Sequence, residues 1–364
     1  MSKDHIESLQ SFRGIAAIVV LIHHCTFYFY YDLSLRNYAE FLLNAHAAVV
    51  AFYVLSGYVL TLSLIKTNFQ IKDIFEFYIR RGARIYPALW FASIFAIIYV
   101  LIFKNNPTSD LVSSWWKIEY RDDVISFPKI LKAILGFGPE LPLPIWSISL
   151  ELVASLLLPF LFLSMKFSKY IFWIILSFLI GLSIFSNSIY TKYIFLFALG
   201  ASILLWQNKI QSVTKNKLIF YTLIVFSILL LFFGRNLGGW SYQSFYHNSY
   251  ASIIEGFAAA LLIALISKAY FSLNFLKNSC LVYLGDISYS LYILHLPILG
   301  FWGAILEYLA LNNFLSKNTI LLSFFLIILT LCSTIIISIF SYKYIEINGI
   351  KLGKNIISKI RKAS

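Results

Sequence analysis

Charge is the scarcest feature of this sequence. Only 12% of its 364 residues are Asp, Glu, Lys or Arg, whereas 60% are hydrophobic. Soluble domains carry about 25% charged residues, so a soluble enzyme is excluded. Acids are scarcer than bases, with 16 against 29 and a formal net charge of +13. That excess does not indicate a nucleic-acid partner. The Lys and Arg residues sit in short stretches between apolar runs, and no basic stripe interleaves with a soluble fold. Cysteine is nearly missing. Cys25, Cys280 and Cys332 lie far apart, in or beside apolar runs, without C-x-x-C spacing. They report nothing about a redox compartment and propose no metal site. Internal repeats and low-complexity tracts are also lacking.

Long apolar runs are abundant. Stretches of about 20 residues recur from end to end, the length a helix needs to cross a bilayer. The 34 Phe and 24 Tyr suit lipid-facing helices and interfacial belts. The pattern predicts an all-α polytopic integral membrane protein with about ten spans. They fall near 12–31, 46–65, 85–103, 145–164, 170–186, 192–206, 218–234, 250–267, 285–306 and 319–342. The sixth is short and rests on the bracketing Lys192 and Lys209. The opening M-S-K-D-H-I-E is not basic overall, and the first run is long enough to remain as a span, so no cleaved leader is expected. Residues 1–350 read as a single transmembrane domain and 351–364 as a basic tail.

Loop charge sets the orientation. Lys66, Lys72, Arg80, Arg81 and Arg84 fall on one side, with the Lys166/Lys169, Lys209–Lys217 and Lys268/Lys277 loops and the basic C-terminal tail. They outnumber the cations of the opposite side, which places both termini in the cytoplasm. The long connection at about 104–144 then lies outside. Its cations and anions balance, it holds Trp115 and Trp116, and it ends G-F-G-P-E-L-P-L-P. It fits a cover over a substrate site, and equally an ordinary surface connection.

Several polar residues do not belong in such spans. S-F-R-G-I-A-A-I-V-V-L-I-H-H-C places Arg13 and His24 eleven positions apart. On a helix that spacing returns to within about 20° of one direction, roughly 16 Å along the axis. His23 is rotated about 100° away. An interfacial Arg that snorkels and a core His satisfied by a neighbour fit the same spacing. Y-I-R-R-G-A-R-I-Y-P puts Arg81 and Arg84 on one helix face, beside Arg80. Guanidinium forks suit phosphates, while positive-inside anchors look similar. I-W-S-I-S-L-E-L sets Glu151 inside span four, with Ser147 four residues before it and Trp146 marking the interface. D-I-S-Y-S-L-Y-I-L-H-L-P sets His295 inside span nine, with Ser288 and Tyr292 near its face. Ser56-Gly57 in span two favours close helix packing over chemistry. Glu255 in span eight is one more buried acid, and spacing assigns it no partner. Ionisable groups inside spans are costly and usually functional. Together Arg13, His24, Glu151 and His295 argue for a shared polar cavity.

The motif order resembles the acyltransferase-3 family of membrane-bound O-acyltransferases. It runs R-x10-H, V-L-S-G-Y, R-R-x-x-R-I-Y-P, W-S-I-S-L-E, I-S-Y-S-L-Y-I-L-H-L-P and a Y-I-E ending, over about residues 8–350. The resemblance implies transfer of an acyl group, most often acetyl, to hydroxyls of cell-envelope glycans at the bacterial inner (cytoplasmic) membrane. It implies catalytic roles for His24 and Arg13 and acyl-CoA binding by Arg81 and Arg84. Trp146, Ser147 and Glu151 match the W-S-x-S-x-E element. The hydrolase domain that some members append is not seen, so a stand-alone form is expected. One departure stands out. Val50 occupies the place, six residues before Ser56, where many members have an acid.

The expected chemistry follows. Acyl-CoA, acetyl-CoA first among donors, places its phosphates on Arg13, Arg81 and Arg84, and no cofactor is permanently bound. A polysaccharide or glycolipid sugar approaches from outside, and neutral His24 takes its hydroxyl proton. Glu151 acts in catalysis by orienting an imidazole or by holding sugar hydroxyls; Trp146, Ser147 and His295 contact substrate. The alternative class is a transporter or flippase of a glycan or small polar substrate, using the same charges as a path. A scaffold that recruits a synthase is a third, and it predicts that every one of these residues tolerates alanine. The oligomeric state is not encoded in any of these patterns.

Overall fold

The computed structural model describes residues 3–30, 33–103, 109–120, 126–137, 141, 143–239 and 247–363. Fifteen α-helices form among them: α1 (Lys3–Cys25), α2 (Leu33–Leu42), α3 (Ala45–Ile65), α4 (Ile71–Phe103), α5 (Ser114–Tyr120), α6 (Phe127–Ile134), α7 (Ile145–Phe167), α8 (Lys169–Phe185), α9 (Ile189–Val213), α10 (Lys217–Leu237), α11 (Ser249–Lys268), α12 (Ser279–Asp286), α13 (Ser288–Leu311), α14 (Thr319–Ser341) and α15 (Ile347–Ala363). A π-helical turn, Tyr342–Glu346, joins the last two. Among the described residues no strand forms, and Phe29 and Val112 make an isolated antiparallel bridge. Four of the helices start on asparagine. Asn44, Asn216, Asn248 and Asn318 each turn a side-chain oxygen onto the first free N–H groups of α3, α10, α11 and α14.

Nine helical stretches among the described residues are long and apolar enough to cross a membrane, and α8 is a shorter apolar helix. The chain is thus an all-α polytopic membrane protein, and every expected span has its helix. The expectation of a short sixth span is corrected. That helix, α9, has 25 residues, and the short one is its predecessor α8, with 17. Lys192 and Lys209 were read as ends but lie within α9, because a lysine stem reaches a polar partner from inside a helix. Lys192 Nζ donates to the His247 carbonyl at 2.9 Å. The third span starts earlier than expected, so Arg80, Arg81 and Arg84 stand within the 33-residue α4.

The chain divides into two compact units. The first comprises Met1–Ala16, Asn44–Tyr78 and Leu150–Gly285; the second comprises Ala17–Leu43, Ile79–Ser149 and Asp286–Ser364. Four of the five divisions fall inside helices, in α1, α4, α7 and α12, and the fifth falls between α2 and α3.

In the first unit α3 and α9 cross at backbone contact. A Cβ on Gly57 would sit 2.1 Å from the Phe197 oxygen, and one on Gly200 would sit 2.0 Å from the Val54 oxygen. Small residues permit this approach where lipid supplies no hydrophobic drive between helices. α11 is the most enclosed element here, with Glu255 and eleven residues after it almost all buried.

In the second unit α13 packs beside α14. Ser290 Oγ lies 2.7 Å from Ser341 Oγ and also hydrogen-bonds Glu346 in the π turn. Pro87 has no N–H for the Ala83 carbonyl, and Gly349 of α15 lies close by, where a Cβ would be 2.6 Å from that oxygen. The segment after α1 is pinned by the long connection. Tyr30 N–H donates to Leu111, and Ser113 N–H donates to Tyr28. The end of α6 accepts hydrogen bonds from Trp90 and Tyr86 of α4. The described parts of 104–144 thus include two short helices, α5 and α6, and are docked within their own unit.

Candidate functional site

The second unit gathers four of the residues singled out above with an aromatic from the long connection. His24 is half-buried on α1 and His295 is fully buried on α13. Nε2 of His295 lies 3.0 Å from Nδ1 of His24. Nδ1 of His295 lies 2.5 Å from the Tyr292 carbonyl, one turn earlier on its own helix. The Trp115 ring of α5 stacks on the His24 imidazole, with centroids 5.6 Å apart and planes 17° apart. Ser147, buried near the start of α7, lies 2.7 Å from the Pro144 carbonyl and 2.7 Å from the Tyr292 hydroxyl. A serine has one hydrogen. The carbonyl takes it, so Tyr292 donates to Ser147. The result is a linked set, His24–His295–Tyr292–Ser147, with an indole over one end.

His23 is spent elsewhere. It is buried, and its Nδ1 donates to the Leu43 carbonyl at 2.8 Å. Its ring packs on Phe27. The two neighbouring histidines thus have different surroundings, as their 100° separation requires.

The other candidates fall as follows. Arg81 and Arg84 are half-buried on α4 in the second unit, beside exposed Arg80. Trp146, also in the second unit, is half-buried at the start of α7. Arg13 and Glu151 belong to the first unit, both half-buried. Glu151 accepts a hydrogen bond from Ser56 at 3.2 Å. Ser56-Gly57 therefore does both things: Gly57 permits the helix crossing, and Ser56 holds the acid. Val50, the departure from the family pattern, is fully buried.

The first unit also holds a polar chain that the sequence reading missed. Glu255 has 0% exposure, yet it is well partnered. Asn44 Nδ2 donates to its Oε1 at 2.8 Å, and His46 Nδ1 meets its Oε2. His46 Nε2 lies 2.9 Å from the Tyr193 hydroxyl, which in turn lies 2.8 Å from His247 Nδ1. Asn44 thereby caps α3 and ties it to α11. His247 lies outside the spans, just before α11. Burial, with His46, Lys192 and Arg235 facing it, pushes its pKa down to about 3. One signal was available in advance. His46 is an ionisable group in an apolar run, the criterion that selected His24 and His295. Among the described residues no group of three or more His, Cys, Asp or Glu is placed to hold a metal ion.

Fold and site together define a class: a polytopic all-α membrane protein whose spans carry paired imidazoles and hydroxyls. Known proteins supply the family. The acyltransferase-3 family model, described as an acyltransferase domain, matches residues 6–339. The chain belongs to this acyltransferase family, as its motif order implied. It is similar to the O-acetyltransferase OatA of Staphylococcus aureus (strain NCTC 8325 / PS 47), with 24% identity over 95% of this chain and 57% of that protein. It is also similar to the peptidoglycan O-acetyltransferase OatA of Listeria monocytogenes, with 25% identity over 95% of this chain and 56% of that protein. The chain thus spans less than two thirds of the length of these relatives. No solved structure matches it.

Proposed function

We propose that this protein transfers an acetyl group from cytoplasmic acetyl-CoA to a hydroxyl of a cell-envelope glycan, peptidoglycan foremost, at the bacterial cytoplasmic membrane. The observation that carries this reading is the His24–His295 pair, which leaves one imidazole nitrogen of His24 without a role in the fold. Family membership and relatives named as O-acetyltransferases support the reaction class.

The step balances with the residues at hand. His24 accepts the proton as the glycan O–H bond breaks. The glycan oxygen bonds to the thioester carbonyl carbon, and the C–S bond breaks. The thiolate of CoA leaves and takes the proton from the imidazolium. Arg81 and Arg84, three apart on α4, hold donor phosphates in charge-assisted forks. Arg13 and Glu151 keep the catalytic roles their motifs imply, and Trp146 and Ser147 contact the acceptor. Trp115, stacked on His24, gives the sugar an apolar wall.

Membranes carrying the protein, given labelled acetyl-CoA and a muramyl glycan, test this. Label is expected in alkali-labile ester on the glycan. His24→Ala abolishes that transfer while the protein still inserts, and His23→Ala retains most of it. Arg81→Ala raises the KM for acetyl-CoA and leaves the acceptor KM alone. Glycan movement without label identifies a flippase instead, and full transfer by His24→Ala refutes the assignment of the base.

A further inference from the structure

We infer that His295 is a positioning residue that holds His24 in the one tautomer able to act as base, with Nδ1 protonated and Nε2 bare. The inference rests on the reading of His24 as base and specifies which atom takes the proton.

The direction of each hydrogen bond follows from its far end. The Tyr292 carbonyl can only accept, so Nδ1 of His295 carries its hydrogen. A neutral imidazole has one N–H, so Nε2 of His295 presents a lone pair. That lone pair faces Nδ1 of His24 at 3.0 Å, so His24 donates from Nδ1. That tautomer leaves the Nε2 lone pair of His24 for the acceptor hydroxyl.

His295 contributes more once the reaction starts. When His24 takes the acceptor proton it becomes imidazolium, and its Nδ1–H bond to His295 becomes charge-assisted. The gain exists only after proton transfer, so it appears in kcat rather than in KM. A neutral histidine here fills the place that a carboxylate takes in a serine triad. It does so without setting a second charge in the span, where charge is costly.

Two measurements test this. In nanodiscs, with acetyl-CoA and a muramyl glycan fragment, His295→Phe removes the acceptor atom and is expected to lower kcat about 100-fold. Both KM values are expected to stay within about threefold. His295→Gln, whose carbonyl oxygen can stand near Nε2, is expected to restore kcat to within about tenfold of the native value. Equal losses in the two variants, or a loss carried by KM, overturn the proposal. The second measurement needs no turnover. Nitrogen-15 spectra of histidine-labelled protein, with His24 assigned through His24→Gln, are expected to show its Nδ1 bearing hydrogen and its Nε2 bare. Hydrogen on Nε2 overturns the inference even if His295→Phe does not fold. A native protein that transfers no acetyl, or an active His24→Ala, defeats the parent reading while the spectrum still decides the tautomer.

Discussion

His247 carries the clearest acid signature among the groups outside the spans. Its folded pKa is about 3, against an ordinary 6.5. Between those values the unfolded chain binds a proton that the folded chain refuses. Stability therefore rises with pH across that window and falls as pH drops from about 6.5 towards 3. Melting temperature in detergent is expected to fall by several degrees between pH 7 and pH 4, and His247→Gln should flatten that slope. An unchanged slope would show that His247 does not set it. What the sequence disclosed about such residues depended on covalent spacing. Arg13 and His24 share a helix, so periodicity put them on one face and set His23 apart. Glu255 stayed without a partner because Asn44, His46, Tyr193 and His247 reach it or one another from other segments. Only packing brings those segments together. The same limit applies to His24 and His295, which were selected separately as costly groups in spans 1 and 9. Nothing in one-dimensional spacing says that their rings meet.

Helix packing in the first unit depends on two glycines used reciprocally. Gly57 faces the backbone at Phe197, and Gly200 faces the backbone at Val54. A methyl group at either site meets main chain, which cannot swing aside as a side chain does. Gly57→Ala is therefore expected to destabilise by about 3 kcal/mol, the upper part of the range for overpacking. Gly181 on α8 provides the contrast, since a Cβ there meets nothing within 4 Å. Gly181→Ala should leave the melting temperature unchanged or raise it, because alanine is the better helix former. Equal losses in the two variants would mean that the α3–α9 contact is not what limits stability. Hydropathy located all ten of these apolar elements because each must hide its backbone from lipid. It misjudged their ends wherever a lysine or arginine lay inside a helix, as in α9 and α4. It gave no sign of α5, a seven-residue helix whose two tryptophans lie in a polar connection. Trp116 is fully buried and donates to the Tyr99 hydroxyl at 3.1 Å, while Trp115 covers His24. Amphipathic patterns that short are indistinguishable from loop.

For the whole molecule, α8 decides the topology. Among the described residues nine helical stretches are long and apolar enough to span, and α8 is the tenth candidate, with 17 residues. At 1.5 Å per residue it extends roughly 25 Å, short of a hydrocarbon core of about 30 Å. An even number of crossings puts both termini on one side, as the loop cations require. An odd number would set the basic end of α15 opposite the N-terminus, against that bias. Crossing by α8 costs little, since a short span is met by local thinning of the bilayer and by its flanking residues. Lys169, at its first position, reaches the interface on one side. We therefore expect Lys166 and Lys169 to lie inside and the 186–188 turn outside. Asn187 is exposed in that turn. An Asn187→Cys variant, with exposed Cys280 and Cys332 replaced by serine, should react in intact cells with a maleimide that does not cross membranes. Phe167→Cys, at the exposed opposite end, should react only after the cells are opened. Labelling of both positions from the same side would mean that α8 does not cross. The two termini would then lie on opposite sides, and the assignment of cytoplasmic acetyl-CoA to Arg81 and Arg84 would have to be made again.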